Sequence, residues 1–291
     1  MAMTPLYTLS ASSTFWVSCH DDSAATDHTR HNHVKRYWLT PFWTMFAVAL
    51  LLSICRPTLA ADSPSADPVA REILTRADRI RFPAEGFQVD VTITTTEPGT
   101  DADVRAYRIL SKGNTQTLVQ TTAPAVDRDQ VLLMRDRDLW VFLPNLSQPI
   151  RLPLSQKLTG QVANGDLARA NFVGDYEPRL LRTEKIDGVS YHVIQLDAVD
   201  NAVTYHQVLY WVNEKNSRPY KAEFYALSGR LLKTGHYQEF RALGGETRPT
   251  RLVIEDGLRS GRRSVLEYRD MSIRDMPDKM FTKDYLKKLG N

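Results

Sequence analysis

From residue 87 to residue 273 the sequence breaks into short alternating runs separated by turn residues, a rhythm that few folds accommodate. FQVDVTIT (87–94) sets the pattern, with Phe87, Val89, Val91 and Ile93 on one side and Gln88, Asp90, Thr92 and Thr94 on the other. That alternation is the signature of a half-buried strand. VRAYRILS (104–111), TQTLVQTT (115–122), DQVLLMR (129–135) and DLWVFLP (138–144) follow. After a gap come SYHVIQLDAV (190–199), VTYHQVLYWVN (203–213), PYKAEFYAL (219–227), LLKTGHYQEF (231–240), PTRLVIEDG (249–257) and RRSVLEYRDMSI (262–273). Connections such as Pro98-Gly99, Lys112-Gly113-Asn114, Arg135-Asp136-Arg137 and Gly244-Gly245 are too short for a helical crossover, so they predict antiparallel hairpins. Ten or eleven such strands in one run point to a single mainly β domain over 67–291, a curved sheet or barrel.

Two segments depart from the strand rhythm. Asp67-Pro68 reads as an N-cap followed by proline at the first helical position. Val69, Ile73, Ala77 and Ile80 then recur at helical spacing, with Arg71, Glu72, Arg76 and Asp78 assigned to the outside, and the helix ends near Arg81. Residues 145–183 carry prolines at 149, 153 and 178 and glycines at 160, 165 and 174. A long irregular insertion of this kind suggests a lid, with Leu146, Ile150, Leu158, Val162 and Phe172 as its apolar contacts.

Several strands are apolar on both faces. In DLWVFLP, Leu139, Val141 and Leu143 share one face and Trp140 and Phe142 the other. In VLYWV (208–212), Val208, Tyr210 and Val212 oppose Leu209 and Trp211, and Phe224 belongs to an aromatic row with Tyr220 and Ala222. One face of each strand can close on the domain core, and the second needs another cover. That cover is either packing within the protein or a bound hydrophobic ligand; for the second, Trp140, Phe142, Val208, Tyr210, Val212 and Phe224, with Phe87, Val89 and Val91 from the apolar face of the first strand, are the candidates for lining a cavity. Which face of the Trp140 strand points inward stays open.

The first sixty residues differ from the rest. Lys35-Arg36, the apolar run Phe42 to Ile54 and the small residues ending at Ala60 read as a secretory signal peptide over 34–60, with a retained anchor as the alternative. Residues 61–66 form a Ser/Pro/Ala linker. Residues 1–33 lie upstream of the basic n-region, and Val34 could be a GTG start, so they are expected to be a mis-assigned extension. The signal implies export, and Cys19 and Cys55 both precede the expected cleavage site near Ala60, so the exported product would hold no disulfide.

Little else in the sequence carries chemistry. No G-x-S-x-G, H-E-x-x-H, P-loop or dinucleotide fingerprint occurs. His192, His206 and His236 are scattered singly among the strands, which predicts no metal site, no cofactor and no catalytic residue. A formal net charge of +3 without a long basic run argues against nucleic acid.

Three stretches carry a resemblance. Trp140 to Pro144 closes a strand as W-x-x-L-P, and Trp211-Val212-Asn213 precedes P-x-K-x-E-x-Y (Pro219, Lys221, Glu223, Tyr225) and G-x-L-x-K (Gly229, Leu231, Lys233). With the closing DMPDKMFTKDYL, these resemble the outer-membrane lipoprotein-sorting protein family, in its LolA-like branch. The resemblance implies an α+β fold of the LolA/LolB kind: a strongly curved antiparallel sheet, or half-open β-barrel, covered by helices. It further implies a monomeric, non-enzymatic carrier in the periplasm of a Gram-negative bacterium, whose cavity takes the acyl chains of lipoproteins or other lipids, serving an inner-membrane transporter. An adaptor for such an exporter, without lipid transport, is the alternative. Residues 145–183 depart from the family pattern, since Asn171-Phe172 and Asp175-Tyr176-Glu177 match its acidic-aromatic segment only loosely.

Overall fold

The computed structural model describes residues 67–289 except 114, 145 and 170, with the backbone alone for 287–289. The expected extension, signal peptide and linker (1–33, 34–60, 61–66) lie outside the described residues.

Helix α1 spans Pro68–Arg81, and the Asp67 side chain caps it by accepting from the Ala70 amide at 2.9 Å. Its buried stripe is Ala70, Ile73, Leu74, Ala77 and Arg81. Val69, expected inside, is 55% exposed, and Asp78, expected outside, turns inward. The stripe has rotated by one position because Leu74 and Arg81 replace Val69 and Ile80 at the contact. Arg248, itself buried, closes the other end of α1 by donating to the carbonyls of Arg79 and Ile80. A cation at this end also complements the helix dipole.

Fifteen strands follow: β1 (Phe87–Thr96), β2 (Asp103–Lys112), β3 (Gln116–Ala123), β4 (Val131–Arg135), β5 (Asp138–Phe142), β6 (Ile150–Leu152), β7 (Lys157–Thr159), β8 (Val162–Ala163), β9 (Tyr176–Ile186), β10 (Val189–Ala198), β11 (Gln207–Asn213), β12 (Pro219–Tyr225), β13 (Leu231–Leu243), β14 (Glu246–Asp256) and β15 (Arg263–Ile273). Thirteen build one antiparallel sheet in the order β6-β5-β4-β3-β2-β1-β15-β14-β13-β12-β11-β10-β9, and β7 pairs only with β8. The sheet is curved and unclosed, a half-barrel. All eleven expected runs form strands, but the sheet is wider than the ten or eleven expected. The extra members, β6 and β9, are its two edges; β6 falls within the stretch read as irregular (145–183) and β9 begins in it. β9 carries Pro178 and several charges, which an edge strand tolerates.

This strand order dictates a crossover. The chain begins mid-sheet at β1, meanders to one edge at β6 and must reach the opposite edge to start β9. Residues 153–175 make that passage over the inner face, carrying β7, β8 and helix α2 (Asn164–Ala168). Two apolar clusters fill the inner side. One joins α1 to Ile194, Leu196, Val208, Tyr210, Val212, Ala222 and Phe224. The other joins Leu154, Val162 and Leu167 of the crossover to Phe87, Val89, Val91, Ile93 and Leu139. Each fully buried aliphatic side chain contributes roughly 1.5–3 kcal/mol.

A third cluster lies on the outer face. There the C-terminal segment, with Met276, Phe281 and Leu286 of helix α3 (Lys283–Leu289) and the turn before it, covers Leu118 and Leu133. Trp140 and Phe142 pack against this cluster.

Candidate functional site

The crossover meets the inner face in two different ways. Its first half is docked. Gly160 has φ +50°, and a Cβ there would fall 2.1 Å from Thr95 Oγ1 and 2.3 Å from Ser264 Oγ, so only glycine permits this approach. The next amide, Gln161 N, donates to Ser264 Oγ at 2.9 Å. Asp166 of α2 accepts from the Ala163 amide at 2.7 Å, from the Tyr205 hydroxyl at 2.8 Å and from the Lys233 ammonium. Lys233 reaches it from β13 and also donates to the Gln161 carbonyl at 3.0 Å. Burial pushes the Lys233 pKa below its ordinary value, with Asp166 opposing the shift. Leu154, Val162, Leu167 and Ala168 are all buried beneath this half.

The second half, residues 171–176, forms a hook held largely by polar contacts. Asp78 Oδ2 accepts from the amides of both Phe172 and Val173, each at 2.8 Å. Its other oxygen, Oδ1, receives Arg81 Nη1 at 3.0 Å. Burial holds the Asp78 carboxyl above the usual carboxylate range, although Arg81 and the two amides pull it down. Asp175 is pinned by Arg169 and by Arg137, the latter at 3.1 Å. Arg137, in the β4–β5 turn, also donates to Asp200 at 2.6 Å in the β10–β11 loop. One arginine thus ties the two arms of the half-barrel to the hook.

The Phe172 ring points into the barrel. It meets Tyr210 and Tyr176 edge-on, at 5.2 Å and 5.6 Å between centroids, and the Arg81 guanidinium lies 4.1 Å from its own centroid. Beneath it is a cavity bounded by Arg81, Phe82, Tyr205, Phe224, Tyr237 and Tyr268, holding about 40 Å³. That is room for a few waters and not for an acyl chain. Burial keeps Tyr205, Tyr210 and Tyr268 protonated well above their ordinary range. On the other side of the hook lies a cleft of about 140 Å³ lined by Thr75, Asp78, Arg79, Ala84 and Val173. Phe82 and Asn171 border both spaces, so Phe82 and residues 171–173 together form the partition between them.

The sequence-derived candidates fall in three places. Phe224 lines the cavity, and Phe172 plugs it. Val208, Tyr210 and Val212 face the same cluster, while Phe87, Val89 and Val91 face the inner side under the docked half of the crossover. Trp140 and Phe142 do not join them. In the β4–β5 hairpin Leu139 pairs with Met134 and Trp140 with Leu133, so alternation sends Leu139 and Val141 inward and Trp140 and Phe142 outward. Lys283 of α3 covers the Trp140 ring at 3.9 Å. Of the lid candidates, Leu158 packs half-buried against the inner cluster, but Leu146 and Ile150 are 49% and 44% exposed, and Ile150 lies in the edge strand β6 beside Val141.

The polar residues at the site, Asp78, Arg81, Asp166, Tyr205, Lys233 and Tyr237, were not among the candidates. Lys233 is the final residue of the G-x-L-x-K motif, and Asp78 with Arg81 is an i, i+3 pair beside the buried helix stripe. Those were the available signals. Among the described residues, no cluster of His, Cys, Asp and Glu is placed to hold a metal, and no helix is long and apolar enough to cross a membrane.

Residues 113–288 match a family described as "Uncharacterized protein". A search of curated proteins finds no match. Among solved structures, a LolA superfamily protein from Nitrosomonas europaea is 59% identical, with 74% of this chain and 98% of that one aligned and a TM-score of 0.72. A putative outer membrane lipoprotein-sorting protein domain from Vibrio parahaemolyticus (20% identity, 76% and 99% covered, TM-score 0.63) shares the fold. So does a DUF1329 family protein from Desulfovibrio piger (18% identity, 76% and 99% covered, TM-score 0.66).

Proposed function

The chain belongs to the LolA superfamily, and from that membership we propose that it is a periplasmic carrier that holds the acyl chains of lipoproteins or other lipids and helps sort them toward the outer membrane. It acts as a monomer and without catalysis, receiving or delivering cargo at an inner-membrane transporter. The observation that carries this reading is the self-filled cavity. An aromatic-lined space of about 40 Å³ on the inner face is stoppered by Phe172, a side chain of the protein's own crossover.

The balance of forces suits a carrier. Each sequestered CH₂ is worth about 0.8 kcal/mol, so an acyl chain replacing Phe172 needs no covalent step to be held. Release requires an element that opens without unfolding the body. The hook, held by Asp78, Arg137 and Arg169, is such an element, whereas the docked half carries five buried apolar residues, Leu154, Val162, Ala163, Leu167 and Ala168.

Lipid extraction and mass spectrometry of protein purified from its native host tests the reading. About one acyl lipid per chain is expected. A protein that is empty, refuses acyl probes and instead binds an exporter would replace the carrier with an adaptor.

A further inference from the structure

The way the hook is fastened specifies more than a greasy cargo. Its two consecutive amides, Phe172 N and Val173 N, both donate to one oxygen of the Asp78 carboxylate at 2.8 Å, while the Phe172 side chain occupies the cavity. In chemical terms this is an apolar group inside the barrel joined directly to peptide N–H groups at its rim. An acyl chain attached through an amide presents the same arrangement. We propose that Asp78 is a specificity-determining residue of the carrier, receiving the N–H donors of an amide-linked acyl cargo, and that residues 171–173 occupy its place when cargo is absent.

Three observations support the assignment, which rests on the carrier reading above. First, Asp78 borders the outer cleft of about 140 Å³, and the hook, together with Phe82, lies between this cleft and the inner cavity. Moving the hook removes the Asn171–Val173 side of that barrier and opens a route beside Phe82, with the chain running inward and the headgroup outward past Asp78. Second, the other carboxylate oxygen is held by Arg81, whose guanidinium also lies over Phe172, so Asp78 is fixed in position at the junction. Third, the cost of opening is asymmetric. Any cargo displaces both amides, and a buried carboxylate left short of donors loses more than it gained from them. An amide-linked chain restores the donors, and an ester-linked chain cannot.

Binding of four palmitoyl probes to the wild-type protein tests this without any substitution: N-palmitoyl alanylglycinamide, its doubly N-methylated form, the matching palmitoyl ester and palmitoyl glucosamine. The dipeptide amide should bind about tenfold or more tighter than the ester and the N-methylated form, as expected for hydrogen bonds to a charged acceptor. Palmitoyl glucosamine equal to the dipeptide would place the amide on a sugar lipid, and weaker binding would place it on a peptide; either retains the role of Asp78. Asp78→Asn should shrink the amide preference to about twofold or less. Phe172→Ala should tighten amide and ester alike and leave their ratio unchanged. Equal binding of amide and ester to the wild type overturns the assignment while leaving the carrier intact. Failure of every palmitoyl probe overturns the carrier itself.

Discussion

The Arg81 guanidinium lies 4.1 Å from the centroid of the Phe172 ring, stacking the end of α1 on the plug of the barrel. This contact joins the end of α1 to the segment proposed above to open. A cation over an aromatic face is worth more when both are withdrawn from water, as here, where Arg81 is 8% and Phe172 7% exposed.

Phe172→Ala removes the plug and leaves the surrounding tyrosines in place. The protein should lose about 3 kcal/mol of stability, the usual cost of emptying a buried aromatic position. It should also take up a fluorescent fatty acid more tightly than the wild type does. Denaturant melts and a fluorescence titration read the two effects separately, and weaker uptake by a folded variant would mean that Phe172 is not the stopper.

The two faces of β5 should respond differently to a charge. Leu139 is fully buried in the inner cluster, so Leu139→Asp places an unpaired carboxylate in the core at several kcal/mol and should prevent stable folding. Phe142 is half-buried under the C-terminal segment. Phe142→Asp should therefore loosen α3, detectable as faster proteolysis at the C-terminus, and leave fatty-acid uptake unchanged. Loss of uptake in the folded variant would return that face to the cavity.

Asp67 ties two elements together, capping α1 at the Ala70 amide and accepting from the Leu180 amide of β9 at 2.9 Å. These two backbone bonds, the Ala70 one first, hold its carboxyl below the ordinary value of 3.8. A lowered carboxylate pKa means that its stabilisation is complete above 3.8 and is lost as pH falls through the folded value. Asp67→Ala should cost about 1 kcal/mol near neutrality. Melts of the two proteins should converge in acid below that window, and a gap that persists there would mean the charge is not what stabilises.

The repeated hairpins and α1 were legible because their signals are local: alternation, turn glycines, and Asp67 before Pro68. β9 was hidden because an edge strand needs no apolar alternation. Yet Asp187-Gly188, with φ of 49° and 82°, is a two-residue hairpin turn that could have extended the pattern backward from β10. The faces of β5 could not be told apart from β5 alone, since the segment that covers Trp140 lies more than a hundred residues later. Asp78 was assigned outward by polarity, and its partners Phe172 and Val173 are 94 and 95 residues away. Pairings of that range belong to the fold and leave no local trace.

Asp166 and Lys233, the pair that fastens the docked half of the crossover, are likewise distant in sequence, 67 residues apart. Both side chains are nearly buried, at 11% and 6% exposure, so removing one charge should cost more than removing both. Asp166→Asn strands the ammonium and should destabilise by about 3–5 kcal/mol. Lys233→Met strands the carboxylate, though the Ala163 amide and Tyr205 hydroxyl still serve it. The double variant should be more stable than the two single costs added together, by a coupling of about 0.5–3 kcal/mol. A pH series adds an independent check. Burial already places the Lys233 pKa below 10.5, so the unfolded chain holds more protons in the window just under that value, and stability rises with pH across it. Asp166→Asn removes the opposing carboxylate and should steepen that rise, while Lys233→Met abolishes it. Additive single costs with no change in the pH slope would mean that the pair is not coupled and that apolar packing alone holds the crossover down.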